Sequence, residues 1–342
     1  MKQVGMFDES DRQGRLTELG DPLEKLSKID WGMFIPIIEK AIAKEHKGPG
    51  GRPRYQTMLM LKIMIIQRLY NLSDDQTEYQ ISDRLSFMRF LGLTISDKVP
   101  DAKTIWNYRN ELVNAGIAEE LFNTFHKLLE DEHLILREGS IVDATFVEAP
   151  RQRNTREENE EIKNGKVPEE WEKDDPKTKH KRRQKDTDAR WAVKNKERHF
   201  GYKNHVKVDQ KSKLIDKYTV TDASVHDSQA MKDLADENDN VMYADSAYTG
   251  EPIEKDLAEK KIENQIHEKG YRDHPLTAEQ KERNRQKSKI RVRVEHVFGF
   301  MTGSMNGITV RSIGIKRARF NSGITNLLYN ICRYCFLHAS AC

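Results

Sequence analysis

Cysteine is almost missing from this chain. Its three thiols, Cys332, Cys335 and Cys342, stand close together near the end. So few and so clustered, they exclude a disulfide framework and fit a reducing compartment. Cys332 and Cys335 have no second ligand pair at zinc spacing, and they lie in the apolar "ITNLLYNICRYCFL", which reads as a buried helix. Ordinary packing is the expectation there, with a zinc site joined by His338 as the lesser alternative. Long apolar runs are lacking too. No stretch approaches the roughly 18 residues that cross a bilayer, and the start has no secretory apolar core. An intracellular protein with no membrane partner is expected. The sequence shows no internal repeat, and a formal charge of +3 is too small to identify a partner.

What is present is length and unevenly placed charge. The 342 residues, 37% hydrophobic and 33% charged, suffice for two domains and at least one sizeable core. The first thirty residues lean acidic, while Lys281 to Arg319 hold eleven Lys and Arg against two acids, Glu282 and Glu295. Residues 1–30 read as a loose polar arm. Helical apolar spacing begins at Trp31, is interrupted by the Gly- and Pro-rich "HKGPGGRPRY" (46–55), and continues to residue 133, which gives an all-α domain over 31–133.

From residue 134 to 342 the pattern is mixed. "SIVDATFVEA" (140–149) is a β-rich run, and a charged stretch at about 151–195 reads as a disordered or mobile insertion. "FGYKNHVKVD" and "LIDKYTVTDA" read as a hairpin pair, and Ser224 and Asp227 match a helix-capping pattern. "NVMYADSAY" and "ENQIHEK" read as strands, followed by a long basic helix over 277–303 and an apolar one over about 316–338. The whole is an α/β layer fold.

Three acids stand out. Asp143 sits in the apolar strand "IVDATF" and Asp245 at the end of "VMYAD". An ionised carboxylate in such a strand costs several kcal/mol, on the order of 3–5, unless it is paired, hydrogen-bonded or bound to a metal. Glu295 lies in "RVRVEHVFGF", on the flank of a helix whose apolar stripe is Ile290, Val294, Val297, Phe298 and Met301. Alone it reads as half of an Arg291–Glu295 pair. Taken together, the three carboxylates repel one another unless divalent cations neutralise them, and Mg²⁺ suits such a set because it takes hard oxygen ligands, phosphate included.

"IVDAT", "YADSAY" and "RVRVEHVFG" resemble the three catalytic blocks of the DDE transposases of bacterial insertion sequences, the insertion-sequence-five-type branch in particular. "GRPRYQTMLMLKIMIIQRLYNLSDDQTEYQISDRLSFMRFLGL", "PDAKTIWNYRNEL", "DTDARW", "HFGYKNHVKVD" and "VTDASVHDSQ" extend the resemblance to roughly 45–335. The resemblance implies a ribonuclease-H-like mixed-sheet catalytic domain after a helical DNA-binding and dimerisation domain. It implies cleavage at the element's ends and 3′-OH strand transfer into target DNA, with Asp143, Asp245 and Glu295 catalytic and holding Mg²⁺ or Mn²⁺, two ions. Implied partners are DNA, both its own terminal inverted repeats and target, and a second copy in the synaptic complex, in a bacterial cytoplasm near the nucleoid. The family's helix also tends to place a Tyr and a Lys around its Arg and Glu; Ser288 and Thr302 stand at those positions. A joining-deficient nuclease and a domesticated DNA-binding regulator are the alternatives.

DNA contacts are expected from Arg291, with Lys289 or Arg293 as substitutes, from Lys103, Asn107, Arg109 and Asn110 on a candidate reading helix, and from Lys181, Arg182 and Arg183 in the basic run 179–185. Each has a blander reading as a solvated face. "GGRPR" reads as a linker or a minor-groove arm. Trp191 reads as an anchor of the insertion or simple packing, and His226 and His296 as packing or solvated residues.

Overall fold

In the computed structural model, residues 8–43, 53–172 and 180–340 are described; most of the linker "HKGPGGRPRY" and Lys179 lie outside them. The chain divides into two compact units. One comprises 1–132, 304–306 and 324–342, the other 133–303 and 307–323.

The first unit is helical. Its elements are α1 (Asp8–Glu18), α2 (Pro22–Leu26), α3 (Ile35–Ile42), α4 (Thr57–Leu69), α5 (Asp74–Asp83), α6 (Leu85–Leu91), α7 (Ala102–Ala115) and α8 (Ala118–Asp131). The expected loose arm is therefore folded over its described part. Asp21 caps α2 by accepting from the Leu23 amide at 3.0 Å, and Leu23, Leu26 and Ile29, three residues apart, are buried. A sparse apolar stripe is enough once it has a core to meet. That core includes Trp31, whose ring meets Phe34 and Phe90, and Phe34 meets Phe125. Ser73 and Gln76 close a reciprocal cap on α5.

The second unit is built on a mixed sheet. Its strands are β1 (Ser140–Glu148), β2 (Arg190–Lys194), β3 (Glu197–Asp209), β4 (Ile215–Asp222), β5 (Val241–Tyr243) and β6 (Glu263–Asn264). β3 runs antiparallel to β1, β2 and β4, while β1, β5 and β6 run parallel. The expected β3–β4 hairpin is present; the strand expected over "ENQIHEK" shrinks to two residues. Val142, Met231, Leu234, Met242, Tyr248, Ile253 and Leu257 form an apolar cluster of this unit. Lys207, with no exposed surface, is held in the interior by Asp216 and Asp236, each at 2.7 Å, and Asp239 at 3.0 Å. An unpaired ammonium there would be strongly destabilising.

The stretch expected to be mobile also carries structure in its described residues: α9 (Arg156–Lys163), α10 (Glu169–Glu172) and α11 (Lys181–Gln184). Burial of Glu158 would raise its carboxyl, but bonds from Trp171 Nε1 at 2.7 Å, Lys181 Nζ at 2.9 Å and the Thr155 amide outweigh it and hold the group at about 2. Trp171 is buried, so it, rather than Trp191, is the anchoring tryptophan. The far end is tied by Asp186, which accepts from Tyr202 Oη at 2.7 Å and from the Gly314 amide at 3.1 Å. Composition concealed this because two or three buried groups pin a surface that is otherwise all charge.

Ser224 does not cap a helix; His226 does, at a short 3-10 turn leading into α12 (Met231–Leu234). Beyond α13 (Glu251–Glu259), the expected single helix over 277–303 is two, α14 (Ala278–Arg291) and α15 (Arg293–Thr302), which meet at Val292. The final α16 (Ile315–Ser340) begins in the second unit and finishes in the first. The boundary expected at 133/134 falls beside the one at 132/133, whereas residues 304–306 and 324–342 group with the first unit. The later half of α16 buries Ile324, Leu327, Leu328 and Ile331, and its Tyr334 hydroxyl donates to Glu132 at 2.9 Å. Cys332 packs in this helix, its thiol pushed up to about 12 by burial with Cys335 adding to it, and both cysteines are free thiols. A protonated thiol is a poor zinc ligand.

Candidate active site

The two strand acids meet through register. β1 and β5 are parallel, with Ser140 opposite Met242 and Ile141 opposite Tyr243. Two residues further along each chain stand Asp143 and Asp245, abreast of one another. Asp245 leaves the sheet by capping a 3-10 turn, accepting from the Ala247 amide at 2.8 Å. Asp143 stays inside, accepting from its neighbour's amide, Ala144 N, at 2.8 Å. Burial pushes its carboxyl up to about 6; the Ala144 amide and the Arg291 guanidinium oppose that, and Asp245 adds to it.

Arg291 brings in the helical side. Its Nη1 donates to Asp143 Oδ2 at 2.8 Å and stands 3.7 Å from Glu295 Oε1. The expected i,i+4 pair is therefore real, but it is the weaker arm of a bridge. Val294, Val297, Phe298 and Met301 are buried as the stripe requires, Ile290 is half-buried, and Glu295 is exposed on the flank. The bend at Val292 lets α14 end on Asp143 while α15 packs its own apolar face.

Three groups escaped the sequence reading. Tyr248 is 0% exposed, its hydroxyl has no partner among the described residues, and the charges acting on it are those of Asp143, Asp227, Asp245 and Arg291. Its signal was its place three residues after Asp245 in a turn too short to need so large an apolar side chain. Asp227, seen only as a capping residue, pairs with Lys203 at 2.8 Å. Lys194 acts on Asp143 across a long sequence separation that nothing local announces.

Other expected residues are placed as follows. Arg293 donates to the Gln210 carbonyl at 2.8 Å and Lys289 to Gln286 at 2.9 Å, so neither stands beside the acids in place of the missing Tyr and Lys. Ser288 Oγ donates to the Asn284 carbonyl and Thr302 Oγ1 to the Phe298 carbonyl, which turns both back on their own helices. In the first unit, Lys103 and Asn107 are exposed on α7, whereas Arg109 donates to Asp74 Oδ2 at 2.8 Å and to Gln67 at 3.0 Å and serves the fold. Lys181 is taken by Glu158, Arg182 pairs with Glu172 at 2.7 Å, and Arg183 is exposed. His226 caps its turn and His296 is exposed.

The donor set suits a hard divalent cation, since carboxylate oxygens are what such ions prefer. Two orphaned buried atoms beside the acids, Tyr248 Oη and Arg291 Nε, mark polar capacity left unused. As the side chains stand, no three His, Cys, Asp or Glu among the described residues gather closely enough to hold an ion. Arg291 carries the positive charge between Asp143 and Glu295 instead.

A sheet with an antiparallel half and a parallel half, one acid on its central strand β1, a second just past the end of the parallel β5 and a helical glutamate define a ribonuclease-H-like catalytic fold. Residues 135–331 match the family described as transposase DDE domain, and residues 11–111 match a transposase domain, DUF772. The chain belongs to the DDE transposases and is a DDE-type DNA transposase, a family that uses divalent metal. A solved piggyBac transposase synaptic complex with hairpin DNA is similar at a TM-score of 0.48 and 10% identity, over 94% of this chain and 75% of that one. No helix among the described residues is long and apolar enough to cross a membrane.

Proposed function

We propose that Asp143, Asp245 and Glu295 form the centre that cleaves DNA at the ends of an insertion sequence and joins the freed 3′-hydroxyl to target DNA. The observation that carries this reading is the register that sets Asp143 beside Asp245, with Arg291 tying the helix ahead of Glu295 to the same carboxylate. The three acids would hold Mg²⁺ or Mn²⁺, two ions. Such ions, when bound, lower the pKa of an attacking oxygen and stabilise a leaving one.

The chain's own residues do the rest. Asp143 is fixed by two donors, so its carboxylate is oriented before substrate arrives. Arg291 neutralises the acid pair and has the fork geometry to exchange a carboxylate for a phosphate. Tyr248 holds an unused hydroxyl under the charges of Asp143, Asp245 and Arg291. Exposed Lys281, Arg285 and Lys289 on α14 offer the DNA backbone a basic approach. Lys103 and Asn107 on α7, and Arg183 in the insertion, are the remaining exposed candidates for DNA contact. Terminal repeats and target are the DNA partners, and a dimer pairs the two ends.

The test incubates full-length protein with labelled element-end DNA and Mg²⁺ or Mn²⁺, beside Asp143→Ala, Asp245→Ala and Glu295→Ala. Cleavage and joining are expected from the wild type alone, and chelation should abolish both. Undiminished cleavage by any variant would remove that residue from the centre. Cut ends that never join would identify a nuclease, and binding without cutting a regulator.

A further inference from the structure

β2 pairs only with the first part of β3, from Arg190 opposite Gly201 to Lys194 opposite Glu197. The result is a two-stranded ribbon closed at Asn195 and Lys196, with φ values of 51° and 68°. Two positive φ in succession define a tight hairpin turn that matches strand twist. The ribbon springs from Gly201, where φ is 147° and a Cβ would lie 2.2 Å from the Val147 carbonyl oxygen. Only glycine fits there.

The ribbon's surface is unlike the rest of the unit. Trp191 is 43% exposed and Val193 70%, and residues two apart on a strand share a face. Trp191 is backed by the Phe200 ring at 5.0 Å and by the Arg151 guanidinium 5.9 Å from its centroid, and Arg151 is itself fixed on the Arg198 carbonyl at 3.1 Å. Lys194, Lys196 and Arg198 are exposed at the tip against Glu197 alone. An apolar edge ribbon left in water invites wrong pairing, and Val193 carries most of that exposure.

We propose that the β2–β3 ribbon is a stacking platform for unpaired nucleotides of bound DNA, with a base on Trp191 and Val193 and phosphates on Arg151, Lys194, Lys196 and Arg198. An open ring face ringed by cations suits a ligand with π-faces and a regular negative charge. Duplex DNA hides its base faces in the stack, so single-stranded DNA is the occupant. That the bound strand is element-end DNA rests on the reading of Asp143, Asp245 and Glu295 as the cleavage centre; the preference for unpaired bases does not.

The experiment uses full-length protein in chelator, where nothing is cut. Fluorescence anisotropy follows binding of labelled oligothymidylate and of an equally long duplex, for the wild type, Trp191→Ala, Trp191→Phe and Val193→Ser. Trp191→Ala should weaken oligothymidylate binding about five- to a hundredfold, the range for one stacked base, with a much smaller change for the duplex. Trp191→Phe should retain most of the affinity. An unaltered single-strand affinity in Trp191→Ala, or equal losses on both DNAs, would overturn the platform. Should Trp191→Ala unfold, Val193→Ser carries the same comparison, because Val193 is too exposed to matter to the core. Cleavage of end DNA is scored separately in Mg²⁺. Loss of cleavage with the ribbon's selectivity intact would count against the acids alone, and the reverse result against the ribbon alone.

Discussion

Arg291 Nη1 donates to Asp143 Oδ2 at 2.8 Å, joining a helix end to the middle of a strand far earlier in the chain. The guanidinium is also 3.7 Å from Glu295. A pair of this kind is costly to break by halves, because either partner left alone is a buried, uncompensated charge. A double-mutant cycle of Asp143→Asn and Arg291→Gln, read by urea unfolding, should show a coupling of about 1–3 kcal/mol. A coupling indistinguishable from zero would mean that the bridge is not formed in solution.

Asp143→Asn should separate stability from chemistry. The amide keeps the side chain's shape and can still accept from Arg291, but it leaves the guanidinium without its counter-charge, so stability should fall by about 1–3 kcal/mol while the fold persists. End cleavage should fall by about a hundredfold or more, as expected when a carboxylate that handles developing charge is lost. Circular dichroism and the cleavage assay together check this.

Tyr248→Phe removes a hydroxyl that has no partner among the described residues. A buried orphan costs stability, so the variant should be as stable as the wild type or gain about 1 kcal/mol without metal. Thermal unfolding in chelator measures it. A clear loss would reveal a hydrogen bond that holds the fold together.

His205 lies buried on β3, and burial holds its imidazole down at about 4, with Asp227 pulling it up and Lys203 pushing it down. Its Nε2 meets Thr221 Oγ1 at 2.9 Å, and that hydroxyl donates onward to the Asp222 carbonyl, so the neutral ring is the donor. In the unfolded chain the group titrates near its ordinary value, about 6.5. The unfolded state thus binds the extra proton first. Stability from this residue is full above pH ~6.5 and declines toward pH ~4, by up to about 3 kcal/mol. His205→Gln should flatten that limb of a denaturation-versus-pH profile.

Gly201→Ala should be strongly destabilising. Its Cβ would stand 2.2 Å from the Val147 oxygen and 2.8 Å from the Ala149 nitrogen, both backbone atoms that cannot turn aside. A loss of about 2–4 kcal/mol is expected from the clash and the positive φ together. Urea unfolding measures it, and a neutral result would mean that the ribbon bends elsewhere.

Much of this was readable from particular residues. Val142 and Phe146 around Asp143, and Met242 and Ala244 before Asp245, announced strands with acids in them, since β-rich apolar runs speak for themselves. The buried stripe Val294, Val297, Phe298 and Met301 set Glu295 on a helix flank. The folded insertion was illegible because its order rests on Trp171, Glu158 and Asp186, isolated residues whose partners lie elsewhere in sequence. The break at Val292 was equally hidden, as nothing in "RVRVE" is a helix breaker. Arg109 looked like a DNA contact because its partner Asp74 belongs to another helix.

By itself the sequence determined most element types and the family, and it marked the three acids as candidates, because hydrophobic periodicity and short motifs are local properties. The tertiary structure alone decided that Asp143 and Asp245 stand abreast, that Arg291 rather than Lys289 or Arg293 reaches them, that Tyr248 waits unpaired beside them, and that Trp191 faces outward. Each of these depends on strand register, helix ends or ribbon bending, which place side chains in contact across long stretches of chain that no local pattern records.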